Sequence, residues 1–313
     1  MDYPITRHRA PGTERSPAGR VLVIAGSDSG GGAGIQGDIK TVTTLGGYAA
    51  TAITALTAQN TWGVFGIHDV PSDFIRQQIS LVLDDIGADV VKTGMLHKAS
   101  VIETVAECLA SYSTSSLRGE VAKRSGAGEG DNSGKALPLP NHSLPKGRGL
   151  ILDPVMFAKG GAALLAEDAI ETLKIRLIPL AAVVTPNIPE AEYLSGISIG
   201  SIPAMRRAAE KILALGCQAV LLKGGHLEGK SVTDMLMDGS AHEIFTSPRI
   251  ISRHTHGTGC ALASAMATSL AQGMSLRDSV IRAREYVRKA IENAPGLGKG
   301  HGPLGHFVPE DRC

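Results

Sequence analysis

Five short runs with apolar centres punctuate the chain: Val21-Leu-Val-Ile-Ala25, Asp89-Val-Val-Lys92, Leu150-Ile-Leu-Asp153, Ala182-Val-Val-Thr185 and Ala219-Val-Leu-Leu-Lys223. They are too short for helices and do not alternate in polarity, which is the pattern of strands buried on both faces. Helical stretches at Asp73 to Ile86, Ala166 to Ile178 and Pro203 to Leu215 lie between them. The alternation predicts an α/β fold with a mostly parallel central sheet and helices on both of its faces. Further on, Ser231 to Thr246 alternates in strand fashion, and Gly257 to Gln272 and Leu276 to Asn293 read as two consecutive helices.

The rhythm fails from Ser111 to Gly149, which is crowded with Ser, Gly, Pro and Lys and offers little to bury; residues 111–148 are therefore expected to form a disordered insertion in place of a surface connection. Residues 1–19, with three prolines among scattered charges, are expected to be a loose tail, and 309–313 a short C-terminal one. That leaves 20–308 as one domain. With 31 basic against 30 acidic residues, the net charge of +1 provides no field for nucleic acid or an anionic membrane, so small molecules are the expected partners. Four scattered cysteines form no CxxC pair, and no apolar run approaches a membrane span, which points to a reducing, cytoplasmic setting.

Three groups of residues carry chemistry. Gly26-Ser-Asp-Ser-Gly-Gly-Gly-Ala-Gly34 follows the first strand, and its glycines allow a ligand to approach the backbone closely. Gly32, Gly34 and Gly37 fit GxGxxG formally, but no acid occurs between Asp38 and Asp69 to hold a ribose, so the dinucleotide match is accidental. Thr255-His-Gly-Thr-Gly-Cys260 opens a helix of small residues, where free N–H groups and the helix dipole make a hole for an oxyanion or a moving phosphoryl group. A thiol there is expected to have a lowered pKa and to serve as a base, with a buried structural cysteine as the competing reading. Finally, Asp153 and Glu190 follow neighbouring strands and suit Mg²⁺ held between nucleotide phosphates, while Lys223 ends a third strand and can neutralise phosphate charge.

Eight segments in order, among them Gly31-Gly-Ala-Gly-Ile-Gln-Gly-Asp-Ile-Lys40, Ala58-Gln-Asn-Thr61, Lys92-Thr-Gly-Met-Leu96, Asp153-Pro-Val-Met156, Leu222-Lys-Gly-Gly-His226 and His254-Thr-His-Gly-Thr-Gly-Cys-Ala261, make the chain resemble the hydroxymethylpyrimidine/phosphomethylpyrimidine kinases of the ribokinase-like superfamily. The resemblance spans roughly Val21 to Phe307. It implies a ribokinase-like fold, ATP as co-substrate with Mg²⁺, and an aminopyrimidine acceptor phosphorylated in two steps. It implies that Gly26, Asp38, Gln59, Met95 and Val155 contact the pyrimidine, that Lys223 and Asn187 contact ATP, and that Asp153 and Glu190 serve the metal. It further implies that Gly257, Thr258 and Gly259 form the anion hole with Cys260 as base, and that the protein is a homodimer. A carboxamide at Gln59 offers the donor and acceptor that an aminopyrimidine edge requires. Pyridoxal kinase of the same superfamily is the nearest competing reading. A non-catalytic pyrimidine sensor and a nicotinamide oxidoreductase are the competitors from other classes.

Overall fold

The computed structural model describes residues 19–124, 149–158, 161, 163–227, 229–239 and 241–306. Eight strands form one sheet: β1 (Arg20–Ala25), β2 (Tyr48–Ile53), β5 (Val90–Thr93), β6 (Leu150–Leu152), β7 (Val183–Val184), β8 (Ala219–Leu222), β9 (Ser231–Asp238) and β10 (Ala241–Pro248). Their spatial order is β10-β9-β8-β7-β6-β5-β1-β2. From β2 to β8 every neighbouring pair is parallel, whereas β9 and β10 close that edge as an antiparallel hairpin. All five runs singled out in the sequence are strands of the parallel part.

Because strand side chains alternate between faces, the sheet divides two cores. Leu22, Ile24, Leu150, Leu152, Val220 and Leu222 point to one side. There they meet α2 (Ser72–Asp85), α3 (Ala99–Arg124), α4 (Glu167–Thr172), α5 (Ile188–Ser195) and α6 (Ile202–Leu213). Val21, Val23, Ala25, Ile151, Ala219 and Leu221 point to the other, against α1 (Gly34–Thr44), α7 (Thr258–Ala271) and α8 (Leu276–Glu292). Helix α7 is buried all round from Ala261 to Ser269, as its small residues permit, and so lies directly on the sheet.

The structure departs from the sequence reading in three places. An antiparallel pair that the reading lacked, β3 (Ala55–Asn60) and β4 (Gly63–Asp69), forms a second sheet with a bulge at Ala58/Gln59. Helix α3 continues past Ala110 to Arg124, into the segment read as an insertion; Leu117 to Arg124 consists mostly of good helix formers. The stretch Ala166 to Ile178 is not one regular helix: α4 passes into a π-helical turn at Leu173–Leu177. The rest of the expected insertion, 125–148, residues 1–18 of the expected N-terminal tail, the expected C-terminal tail 309–313 and residues 307–308 lie outside the described residues. Among the described residues, no helix is long and apolar enough to cross a membrane.

Candidate active site

The chain enters the sheet at β1, turns to β2 on one side, then crosses to β5 on the other. Such a reversal of strand order opens a crevice at the carboxyl ends of a parallel sheet, where ligands of open α/β folds bind. A cavity of about 1040 Å³ occupies that position. Its walls come from the segments after β1, β5, β6, β7 and β8 together with the start of α7. Gly26, Gln59, Met95, Val155, Asp153, Asn187, Glu190, Lys223 and Gly257 through Cys260 all line it.

Two loops are clasped at its centre. Gly257, the N-cap of α7, has φ +86°, and a Cβ there would lie 1.9 Å from the carbonyl oxygen of Gly32. Only glycine combines that left-handed backbone with that approach. Among the described residues the amides of Gly259 and Cys260, in the first turn of α7, have no backbone acceptor, and both residues line the cavity. A Cβ on Gly259 would meet Lys223 Nζ at 3.1 Å and Asp153 Oδ2 at 4.0 Å. The lysine and the aspartate therefore sit against the helix mouth.

Lys223 Nζ donates to Asp153 Oδ1 at 2.9 Å, and Thr185 Oγ1 donates to the same oxygen at 3.2 Å. Burial disfavours the Lys223 ammonium, but Asp153 and Glu190 outweigh it and hold its pKa above the ordinary lysine value. Glu190 forms a capping box with Asn187 at the start of α5: Asn187 N–H donates to Glu190 Oε2 and Glu190 N–H to Asn187 Oδ1, at 2.8 and 2.9 Å. Burial, with Asp153 nearby, raises the Glu190 carboxyl to about 7 although Lys223 pulls it down. Both carboxylates line that cavity and offer oxygen ligands, and among the described residues the hydrogen bonds that reach Asp153 fall on Oδ1. The described residues contain no cluster of three or more metal-ligating side chains. That donor set fits Mg²⁺, which ordinarily takes one or two carboxylates and completes its shell with phosphate oxygens and water.

Two sequence expectations change. The thiol of Cys260 is not lowered: burial raises it to about 12, Asp38 and Asp153 add to the rise, and Lys92 and the Gly34 amide compensate only in part. Asp38 does not line the cavity. It is wholly buried behind the wall, where it accepts from Lys92 Nζ at 2.8 Å and Ser264 Oγ at 2.7 Å. With its carboxylate behind the wall, the Lys92 ammonium and the Ser264 hydroxyl offset the cost of burying that charge away from water.

The glycine-rich loop brings in residues that the sequence reading missed. Asp28 accepts the N–H groups of Gly30, Gly32 and Ala33 at 2.8 to 3.0 Å, and His256 Nε2 lies 2.9 Å from Asp28 Oδ2. Burial pushes the Asp28 carboxyl up, but His256 and the amides outweigh it and hold it below the usual range. The loop's amides are thus filled by its own aspartate. An aspartate followed by glycines at i+2 and i+4 is a signal for such a turn. Gln59 is aimed inward at the β3 bulge, between Thr57 Oγ1 at 3.2 Å and His256 Nε2 at 3.2 Å. The C-terminal segment braces this corner: His256 N–H donates to Gly302 O, and His301 N–H to Thr61 O, at 3.2 and 2.8 Å. Arg249 donates to the carbonyls of Gly225, Leu227 and Gly229 and so shapes the loop after β8, a nonlocal contact with no sequence signature.

Comparison with known proteins agrees with this geometry. The family model described as phosphomethylpyrimidine kinase matches residues 28–117 and 141–305. The chain is 44% identical over 290 residues to the hydroxymethylpyrimidine/phosphomethylpyrimidine kinase of Bacillus subtilis, covering 92% of this chain and 95% of that protein. It is 49% identical over 292 residues to the thiamine biosynthesis bifunctional protein ThiED of Geobacter sulfurreducens, covering 93% of this chain but only 53% of that longer protein. The pyridoxal kinase of Staphylococcus aureus, solved with AMP-PCP and pyridoxal, superposes with a TM-score of 0.75 at 30% identity, covering 93% of this chain and 94% of the other.

Proposed function

The chain belongs to the phosphomethylpyrimidine kinase family, and from that premise we propose how its residues transfer the γ-phosphoryl group of ATP to 4-amino-5-hydroxymethyl-2-methylpyrimidine, and then to the monophosphate, in thiamine diphosphate biosynthesis. The observation that carries the reading is the convergence of the Lys223–Asp153 pair on the first turn of α7. Phosphoryl transfer depends mainly on positioning and on stabilising charge, and this corner offers fixed N–H donors, an ammonium and two carboxylates within one cavity.

The acceptor ring lies between Met95, Val155 and the Gly26 backbone, with the Gln59 amide reading its polar edge. The ATP phosphates run over Lys223 and the α7 amides, with Asn187 at the edge. Asp153 and Glu190 would hold Mg²⁺, which neutralises phosphate charge when bound. The substrate hydroxyl oxygen attacks the γ-phosphorus while the bond to the bridging oxygen of ADP breaks, and the turn at Gly257 through Gly259, with the amides of Gly259 and Cys260, receives the negative charge. On this reading Cys260, which lines the cavity at the α7 mouth, accepts the hydroxyl proton, although burial raises its thiol to about 12. Replacing Cys260 with Ala is expected to lower kcat by about 10²-fold with ATP affinity unchanged, a general base being worth roughly 10² to 10⁴. Single-turnover kinetics beside equilibrium nucleotide binding would check this, and near-normal turnover would remove the thiol from the mechanism.

Glu190 gives the site a pH dependence. Between its ordinary value of 4.5 and about 7, the folded protein holds this proton more tightly than the unfolded chain. Raising the pH through that window therefore removes its contribution to stability and exposes a carboxylate. Mg²⁺ affinity measured with a non-hydrolysable ATP analogue is expected to rise about tenfold from pH 6 to 8, and Glu190→Gln to flatten the profile. An unchanged slope in that variant would exclude Glu190 as a ligand.

The similarity to a pyridoxal-bound kinase makes pyridoxal the second acceptor to weigh. ADP release measured with hydroxymethylpyrimidine, its monophosphate and pyridoxal side by side decides between them. Preference for pyridoxal would overturn the assignment, and no diphosphate from the monophosphate would limit it to one step. We also assign a homodimer, supported by the exposed Leu56, Trp62 and Phe65 on the β3–β4 hairpin. A cytoplasmic setting is supported by the unpaired thiols of Cys108, Cys217 and Cys260. On this reading 20–308 is one kinase domain.

A further inference from the structure

Behind the cavity wall lies a charge pair that the proposed mechanism leaves unused. Lys92, on β5, and Asp38, on α1, are both 0% exposed, and Lys92 Nζ meets Asp38 Oδ2 at 2.8 Å. Burying such a pair contributes little to stability, because desolvation cancels most of the attraction and well-packed apolar residues do as well or better. Its position is more informative. Ser264, whose Oγ donates to Asp38 Oδ1 at 2.7 Å, stands one turn after Cys260 on α7. Lys92 borders the cavity and Asp38 does not. A Cβ on Gly94, another wall residue, would lie 3.2 Å from Lys92 Nζ. The pair is therefore an oriented dipole, positive end toward the cavity and negative end behind.

We propose that Lys92 is a positioning residue for phosphoryl transfer, its ammonium held by Asp38 beneath the first two turns of α7 so that fixed positive charge backs the anion hole. This rests on the kinase reading given above. Charge placed in advance, out of reach of water, stabilises a transition state without reorganisation. Burial disfavours the ammonium, yet Asp38, with Cys260 and Asp153 beyond it, keeps its pKa above the ordinary value, so it stays charged across the working range. The same field acts on the Cys260 thiol.

The test is the double variant Lys92→Met/Asp38→Leu, which removes both buried charges. It is expected to keep its melting temperature and its KM for both substrates while kcat falls at least about tenfold, the scale of one preorganised electrostatic contact or less. Lys92→Arg is expected to recover part of kcat. Lys92→Gln/Asp38→Asn, which keeps hydrogen-bonding groups in place, serves if the apolar pair does not fold. A second readout needs no turnover: alkylation of Cys260 by iodoacetamide at pH 9, followed by site-resolved mass spectrometry, is expected to slow at least about threefold in the charge-free variants. A double variant with wild-type kcat, or unchanged Cys260 alkylation, overturns the inference. Absence of kinase turnover in the wild-type chain would instead overturn the functional reading on which it rests.

Discussion

Gly257→Ala is expected to lower kcat/KM by at least about 10³-fold, more than any other single substitution in this site. Two effects add. The residue has φ +86°, where a non-glycine residue costs on the order of 1 to 2 kcal/mol. The new methyl carbon would also lie 1.9 Å from Gly32 O and 3.0 Å from Gly32 C, so the glycine-rich loop and the start of α7 must separate. Separation displaces the amides of Gly259 and Cys260 and pulls on His256, whose ring meets Asp28 on the opposite loop. Steady-state kinetics with a thermal melt will distinguish the outcomes: a melting temperature lowered by only a few degrees with turnover lost marks damage at the hole. Activity within tenfold of wild type would mean that the α7 mouth does not receive the moving phosphoryl group.

The second large effect is expected for Asp153→Asn. The carboxylate is 3% exposed and accepts from both Lys223 and Thr185, so the amide leaves a buried ammonium short of its nearest counter-charge. Breaking one side of such a pair costs roughly 3 kcal/mol of stability. Catalysis suffers separately, because Asp153 is also one of the two candidate metal oxygens: kcat is expected to fall about 10²- to 10³-fold and the Mg²⁺ requirement to rise. Titrating Mg²⁺ at saturating ATP reads the second effect without the first. An unaltered Mg²⁺ dependence would leave Asp153 as a partner for Lys223 alone.

The parallel sheet was legible because strands buried on both faces are short, largely apolar runs, of which Val21 to Ala25 and Ala219 to Leu222 are clear cases. The loops at their carboxyl ends followed from that placement, which is why Asp153, Glu190, Lys223 and Gly257 fell in one cavity. The β3–β4 pair was illegible for the opposite reason. Its inward residues are small, Ala55 and Thr57, and Leu56 and Phe65 face outward, so the usual apolar-in pattern is missing. The place of Asp38 and the acidity of Cys260 were illegible because motif position indicates which loop or helix face a residue occupies, but not its local solvation: Asp38 is wholly buried beside Lys92, and the thiol of Cys260, half-buried at the cavity wall, is raised by desolvation.

Asp28 answers the open amides of its own loop, and that has a consequence for how the site meets its ligand. A wall wired to itself keeps its shape when nothing is inside, so an arriving ring finds a finished mould and need not freeze a floppy strand of glycines to be gripped. Association can then proceed as simple diffusion into a standing socket, and departure leaves the socket intact for the next turnover.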